Sequence, residues 1–296
     1  MKRWVPMTVL AWNLAVILWG AFVRMSGSGA GCGSHWPSCQ GEIVPTAPVL
    51  ATIIEFAHRV TSGISVALAL AALVWAQRVF PSRHKARRAA AAGMGFIILE
   101  ALLGAAIVLL GLTAKNDSAA RAVFIAVHLL NTLGLIASYT LLTLWAVDPR
   151  PLRRPEHATL LAIGAIAILL TSATGAVTAL GDTLFPVDAA QPMVARVGAE
   201  LAPAMHFLVR LRIVHPLIAV SSALVLLTVG AWFMERTRRP ALALMVLVVT
   251  QVCAGLLNIA LAAPEAMQLV HLLLANVVWI ALVTVAARVS ALPAPQ

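Results

Sequence analysis

Apolar residues in this chain of 296 residues come in long unbroken runs, parted by short stretches rich in Arg, Pro and Gly. A helix needs about 20 such residues to cross the hydrocarbon layer of a bilayer. The runs therefore predict eight membrane-spanning helices, over 5–24, 51–78, 89–112, 121–146, 158–180, 206–233, 241–262 and 267–287. They do not alternate between apolar and polar positions, so barrel strands are excluded and the fold class is all-α. Composition points the same way. Of the residues, 61% are hydrophobic and 11% charged, whereas a soluble domain carries about 25% charge to cover its surface.

The first run, preceded by Met1-Lys2-Arg3, is long for a signal core. Gly29 also stands where a lipoprotein signal ending at Ala30-Gly31-Cys32 would carry a leucine-like residue. The run is therefore read as a permanent first span.

A formal charge of +10 would suggest nucleic acid in a soluble protein. Here the cations sit in short loops with no binding motif beside them, and nucleic acid is not expected. With the N-terminus in the cytoplasm, about two thirds of the Lys and Arg residues fall on the inner side, as the positive-inside rule requires. Eight spans then place both termini in the cytoplasm.

The chain also repeats itself. Val127-His128-Leu129-Leu130 recurs as Val270-His271-Leu272-Leu273, and Glu100 precedes Gly104 by the same interval as Gln251 precedes Gly255. Gly20-Ala21 answers to Gly175-Ala176, and Trp36-Pro37 to Phe185-Pro186. The expected architecture is two tandem pseudo-symmetric four-helix bundles, 1–147 and 158–296, joined by a cytoplasmic linker over 148–157.

Four of the eight histidines, His58, His128, His215 and His271, fall inside spans, where an ionisable group is costly and usually functional. Each half supplies one His from its second helix and one from its fourth, a natural bis-imidazole haem clamp. Zinc would want more ligands close by. His35, His84, His157 and His206 read as solvated side chains, and Cys253 as a small packing residue.

The halves differ in what stands beside the clamp. Glu55 lies one turn before His58, in an expected apolar pocket where it could act as acid or base or position water. The bland alternative is an i,i+4 pair with Arg59. At the matching place in the second half stands Arg212, which with Arg210 could hold haem propionates. Cys32 and Cys39, in the first outer loop, face an oxidising compartment and are expected to form a disulfide, structural or redox-active. Glu100, paired by the repeat with Gln251, reads either as an interhelix hydrogen-bonding group or as part of a proton path.

Taken together, the eight spans, the Gly27-Ser28-Gly29 to Cys32-x6-Cys39 loop with Trp36-Pro37, the Glu55-Phe56-Ala57-His58-Arg59 motif and the spans bearing His128, His215 and His271 resemble haem A synthase. The resemblance covers nearly the whole chain. It implies oxidation of the C8 methyl of haem O to a formyl group, giving haem A for terminal oxidases. It further implies haem b on His215 and His271, the substrate haem at His58 and His128, Glu55 as the catalytically important acid, and Cys32–Cys39 as the loop disulfide. Expected partners are haem O, delivered by haem O synthase, an electron acceptor or donor, and membrane lipid; a homo-oligomer is compatible with it. The implied location is the bacterial inner membrane. One departure is visible, since the second outer loop has no cysteine pair. Two rival classes share some of these features: a dihaem b-type electron carrier that leaves its haems unmodified, and a proton-coupled transporter.

Overall fold

The computed structural model describes residues 4–148, 150, 157–188, 190, 191, 193–200 and 202–291. Most of the expected linker lies outside them. Among the described residues ten α-helices form: α1 (Trp4–Met25), α2 (Leu50–Val79), α3 (Lys85–Leu109), α4 (Ala119–Trp145), α5 (Ala158–Leu184), the short α6 (Met193–Glu200) and α7 (Phe207–Arg210), then α8 (Val214–Trp232), α9 (Arg238–Ala260) and α10 (Glu265–Val289). The only β-pairing among those residues is an isolated bridge between Cys39 and Glu42. Eight helical segments are long and apolar enough to cross a membrane. They match the eight expected runs, with ends that differ by a few residues.

Polar residues set several of those ends. Ser118 accepts from Arg121 N–H and opens α4, and His84 accepts from Ala86 N–H and opens α3. The sixth span is broken: α7 passes through a 3-10 turn, Leu211–Ile213, into α8. Pro216 explains the break, because it has no N–H to give the carbonyl four residues back, that of Arg212, and its ring crowds it.

Each half is a ring of four helices. In the first, α1 touches α2, α2 touches α3, α3 touches α4 and α4 returns to α1; in the second the order α5, α8, α9, α10 repeats it. The rings meet along α1, α4, α5 and α10. Leu133 and Ile136 of α4 belong to the same buried cluster as Leu226, Val248 and Leu282 of the second half, so the two rings share a core. Trp279 Nε1 of α10 donates to the Leu133 carbonyl at 2.7 Å across that seam.

Packing inside the first ring depends on small residues. Ala69, Ala72 and Ala76 of α2 and Ala86, Ala89 and Ala90 of α3 are buried in one cluster, which lets the two helices approach closely. Many Leu, Val and Ile side chains point outward, among them Leu99, Leu102, Leu217, Leu224 and Leu256. Such a surface suits lipid and would be costly in water. Cys253 is on this outer surface of α9, so the expected packing role is corrected: it is exposed.

Candidate haem-binding site

The four intramembrane histidines lie on four different helices, and each has a glycine of the neighbouring helix against its ring. A Cβ on Gly20 of α1 would stand 2.4 Å from His58 Nε2, and one on Gly104 of α3 would stand 3.8 Å from His128 Nε2. In the second half, Cβ atoms on Gly175 and Gly255 would both stand 3.0 Å from a ring carbon, of His215 and His271 respectively. Glycine therefore makes the room for each imidazole, most tightly at Gly20.

One nitrogen of each ring is held by a side chain. His58 Nδ1 meets Ser62 Oγ at 3.1 Å, His128 Nδ1 meets Glu100 Oε1 at 2.8 Å, and His215 Nδ1 meets Thr174 Oγ1 at 3.2 Å. Gln251 Nε2 lies 3.2 Å from His271 Nε2, while His271 Nδ1 is buried without a partner. Holding one nitrogen fixes the orientation of the ring, as second partners do around a ligating histidine.

His215 and His271 face each other with ring centres 6.5 Å apart and planes at 88°. A metal–imidazole bond is about 2 Å, and the ring centre lies about 1 Å behind the ligating nitrogen, so two axial imidazoles on one iron stand about 6 Å apart. The separation of the pair is thus close to that of two axial imidazoles on one iron. His58 lies within electrostatic reach of both His128 and Glu100. Among the described residues no three His, Cys, Asp or Glu converge as a multi-ligand metal centre would require.

Glu55 is buried, but its surroundings are not the apolar pocket expected of it. Its Oε2 accepts from Cys32 N–H at 2.8 Å, and Arg59 pairs with its Oε1 at 2.5 Å. Arg59 also donates to the carbonyls of His35 and Ser38 at 2.6 and 2.5 Å. The Cys32–Cys39 disulfide closes this loop, and both cysteines are buried. The i,i+4 pair therefore exists, and it is one part of a bond network that fastens the loop over α2.

Arg212 is committed to protein partners. Its Nε lies 2.9 Å from Asp182 and its Nη1 3.1 Å from Glu200, while Nη2 donates to the carbonyls of Gly181, at 2.8 Å, and Phe185. Arg24 of α1 joins the same layer by donating to Ala179 O and Thr183 Oγ1 of α5. Arg210 is exposed.

Three of the remaining histidines are not bare solvated side chains, which corrects that expectation. His206 caps α7, stacks on Phe185 with centres 4.8 Å apart and lies 3.4 Å from Asp117. His84 caps α3 and stacks on Phe80, and His157 meets Trp232 edge-on. His35 is exposed.

The family described as cytochrome oxidase assembly protein (COX15-CtaA) matches residues 2–283. The chain belongs to that family. It is 48% identical over 286 residues to a protein of Thermus thermophilus named protoheme IX farnesyltransferase, covering 94% of this chain and 46% of that relative. The chain thus spans about half the length of the Thermus relatives it matches. It is also similar to two proteins named heme A synthase. One, of Alkalihalophilus pseudofirmus, is 42% identical over 98 residues, 33% of each chain; the other, of Symbiobacterium thermophilum, is 44% identical over 107 residues, 36% of this chain and 35% of the relative. The resemblance read from the histidines, Glu55 and the cysteine loop is thus a family relationship.

What the sequence did not disclose is the set of second partners: Ser62 on His58, Thr174 on His215, and Asn131 and Thr132 on Glu100. One signal was available, since Ser62 follows His58 by one helical turn and so shares its face. The repeat pairs Glu100 with Gln251 and Gly20 with Gly175, although the contact each makes with a histidine appears only in three dimensions.

Proposed function

We propose that this chain is a haem A synthase that oxidises the C8 methyl of haem O to a formyl group. In this reading residues 158–296 hold haem b through His215 and His271, and residues 1–147 hold the substrate through His58 and His128. The observation that carries it is the paired arrangement of the histidines, each with one nitrogen held by a side chain, and with a carboxylate against a ring only in the first pair.

Bound haem b would supply one-electron transfer to or from the substrate site. The chain's own residues orient the substrate and handle protons. Oxidation proceeds in two rounds, methyl to hydroxymethyl and then to a hydrate that loses water to give the formyl group; in each round one water supplies the oxygen, and two electrons and two protons leave, the electrons for an external one-electron acceptor. Protons leave the carbon-bound and oxygen-bound positions in both rounds, and Glu55, one turn from His58, gives or takes them at its carboxylate. Arg59 and the Cys32 N–H hold that carboxylate in place.

The reading puts both termini in the cytoplasm and the histidines nearer the outer face of a bacterial inner membrane. It makes the supplier of substrate a haem O synthase. The Thermus relatives support this, being about twice as long as this chain and named for the farnesyl transfer that precedes haem O.

Membranes carrying Glu55→Ala, co-expressed with a haem O producer, should keep haem b but accumulate haem O or a hydroxylated intermediate on pigment extraction. A normal yield of haem A would overturn the catalytic role of Glu55. His215→Ala or His271→Ala should remove the haem b absorbance. A spectrum unchanged by both would sink the haem assignment, and extracted haem O that stays unmodified in the unaltered protein would favour the electron carrier.

A further inference from the structure

The two tethers that differ most between the halves are Glu100 and Gln251. Glu100 spends both oxygens: Oε1 takes His128 Nδ1 at 2.8 Å and the Thr132 hydroxyl at 2.5 Å, and Oε2 takes the Asn131 amide. Asn131 Nδ2 also donates to the Phe96 carbonyl at 3.0 Å, which anchors it to α3. A carboxylate deep in a bilayer is costly unless donors surround it, and here three do. The second half lacks the arrangement. With His271 aligned on His128, Leu274 and Ala275 replace Asn131 and Thr132, and Gln251 Oε1 is buried without a partner.

We propose that Glu100 is a positioning residue of the first haem site: held by Asn131 and Thr132, its carboxylate accepts the Nδ1 hydrogen of His128, keeps Nε2 as the ligating atom and makes the haem on that side the more reducing of the two. The proposal rests on the reading of His58 and His128 as haem ligands. An anionic acceptor on one imidazole nitrogen raises the basicity of the other, and a more basic axial ligand favours ferric over ferrous iron. The Gln251 amide is neutral and confers no such bias. Electrons removed at the first site would then run downhill toward the second.

The test uses the full chain purified in detergent after co-expression with a haem O producer, with haem content and the midpoint potential of each haem as readouts. Glu100→Gln keeps the shape but removes the charge. It should weaken retention of the first-half haem by roughly 10- to 100-fold and raise the potential of what remains, leaving the haem on His215 and His271 unchanged. The double variant Asn131→Leu with Thr132→Ala, which copies the second half, should move both readouts the same way, and the retained second haem reports that each variant is folded. Unchanged haem content and potential in both variants, when His128→Ala loses the first haem, would overturn the proposal alone. A first haem unaffected by His128→Ala would overturn it together with the ligand assignment beneath it.

Discussion

Corresponding places above the two histidine pairs carry opposite charges. In the first half Glu55 projects from the helix of His58 and is neutralised by Arg59 and by the Cys32 N–H of the disulfide loop. In the second half Arg212 occupies that place, is neutralised by Asp182 and Glu200 and donates to two carbonyls at the end of α5, those of Gly181 and Phe185. Both halves therefore meet the same requirement, that a charge at the end of a buried site be paired with an opposite one. They leave different chemistry behind. An acid can lose and regain a proton, whereas an arginine at any working pH cannot. The asymmetry continues at the rings, where the carboxylate of Glu100 faces His128 and the amide of Gln251 faces His271.

The comparison breaks most readily at Arg212. Arg212→Met strands two carboxylates in a buried layer and should cost about 3–5 kcal/mol, read by unfolding in a denaturing detergent titration. Glu55→Gln keeps a carbonyl oxygen for the Cys32 N–H and should cost only about 1–2 kcal/mol. Equal losses would mean that the two roofs are equivalent supports. Replacing Cys32 and Cys39 by Ser should cost about 2–3 kcal/mol through the released loop entropy. That loss should fall on the first half, with the haem proposed for His215 and His271 retained; its loss instead would show that the loop supports both halves.

Glycine substitutions sharpen the contrast at the rings. Gly20→Ala must displace the His58 ring, since its Cβ would meet Nε2 at 2.4 Å, at a cost of about 1–2 kcal/mol and with reduced haem at that site. Gly175→Ala and Gly255→Ala, at 3.0 Å, should act more weakly on the second site, and Gly104→Ala, at 3.8 Å, should be almost silent. A reversed order in haem content would contradict the packing described.

A small effect is also expected at the end of the molecule where the halves are joined. Asp148 lies 2.7 Å from Arg150 and 3.3 Å from Arg288 of α10. Hydrogen bonds from Arg150 hold its carboxyl well below the usual carboxylate range. A depressed folded-state value means that the contribution is complete above an ordinary Asp pKa of about 4 and fades as pH falls below it. Asp148→Asn should therefore cost about 1 kcal/mol or less at neutral pH, and the difference from the unaltered chain should shrink in thermal melts run below about pH 4. A gap that stays constant with pH would remove Asp148 as its source.

Much of this was legible in one dimension, for physical reasons. Spans are long because the bilayer is thick, so α1 to α5 and α8 to α10 could be outlined from hydrophobic runs alone. Charged and imidazole side chains are so costly in lipid that each exception is informative, and His58, His128, His215 and His271 stood out for that reason. Pro216, a local signal, lies at the break in the sixth span. Less was legible where polar partners come from distant segments. Nothing local to Arg212 announces Asp182 or Glu200, and nothing local to Glu55 announces the Cys32 amide, which lies 23 residues away. The short helix α6 had no apolar run to mark it.

The sequence by itself determined the class of protein, the eight spans and the identity of the residues that could bind a metal or move a proton. Each follows from local cost, which a side chain incurs in a given medium whoever its neighbours are. Only the tertiary structure decided how those residues are occupied: His215 opposite His271, Glu100 on His128, Glu55 under the disulfide loop and Arg212 between two acids. Such pairings depend on which helix faces lie together, and in a bilayer that choice is made by close packing and hydrogen bonds between segments far apart in the chain.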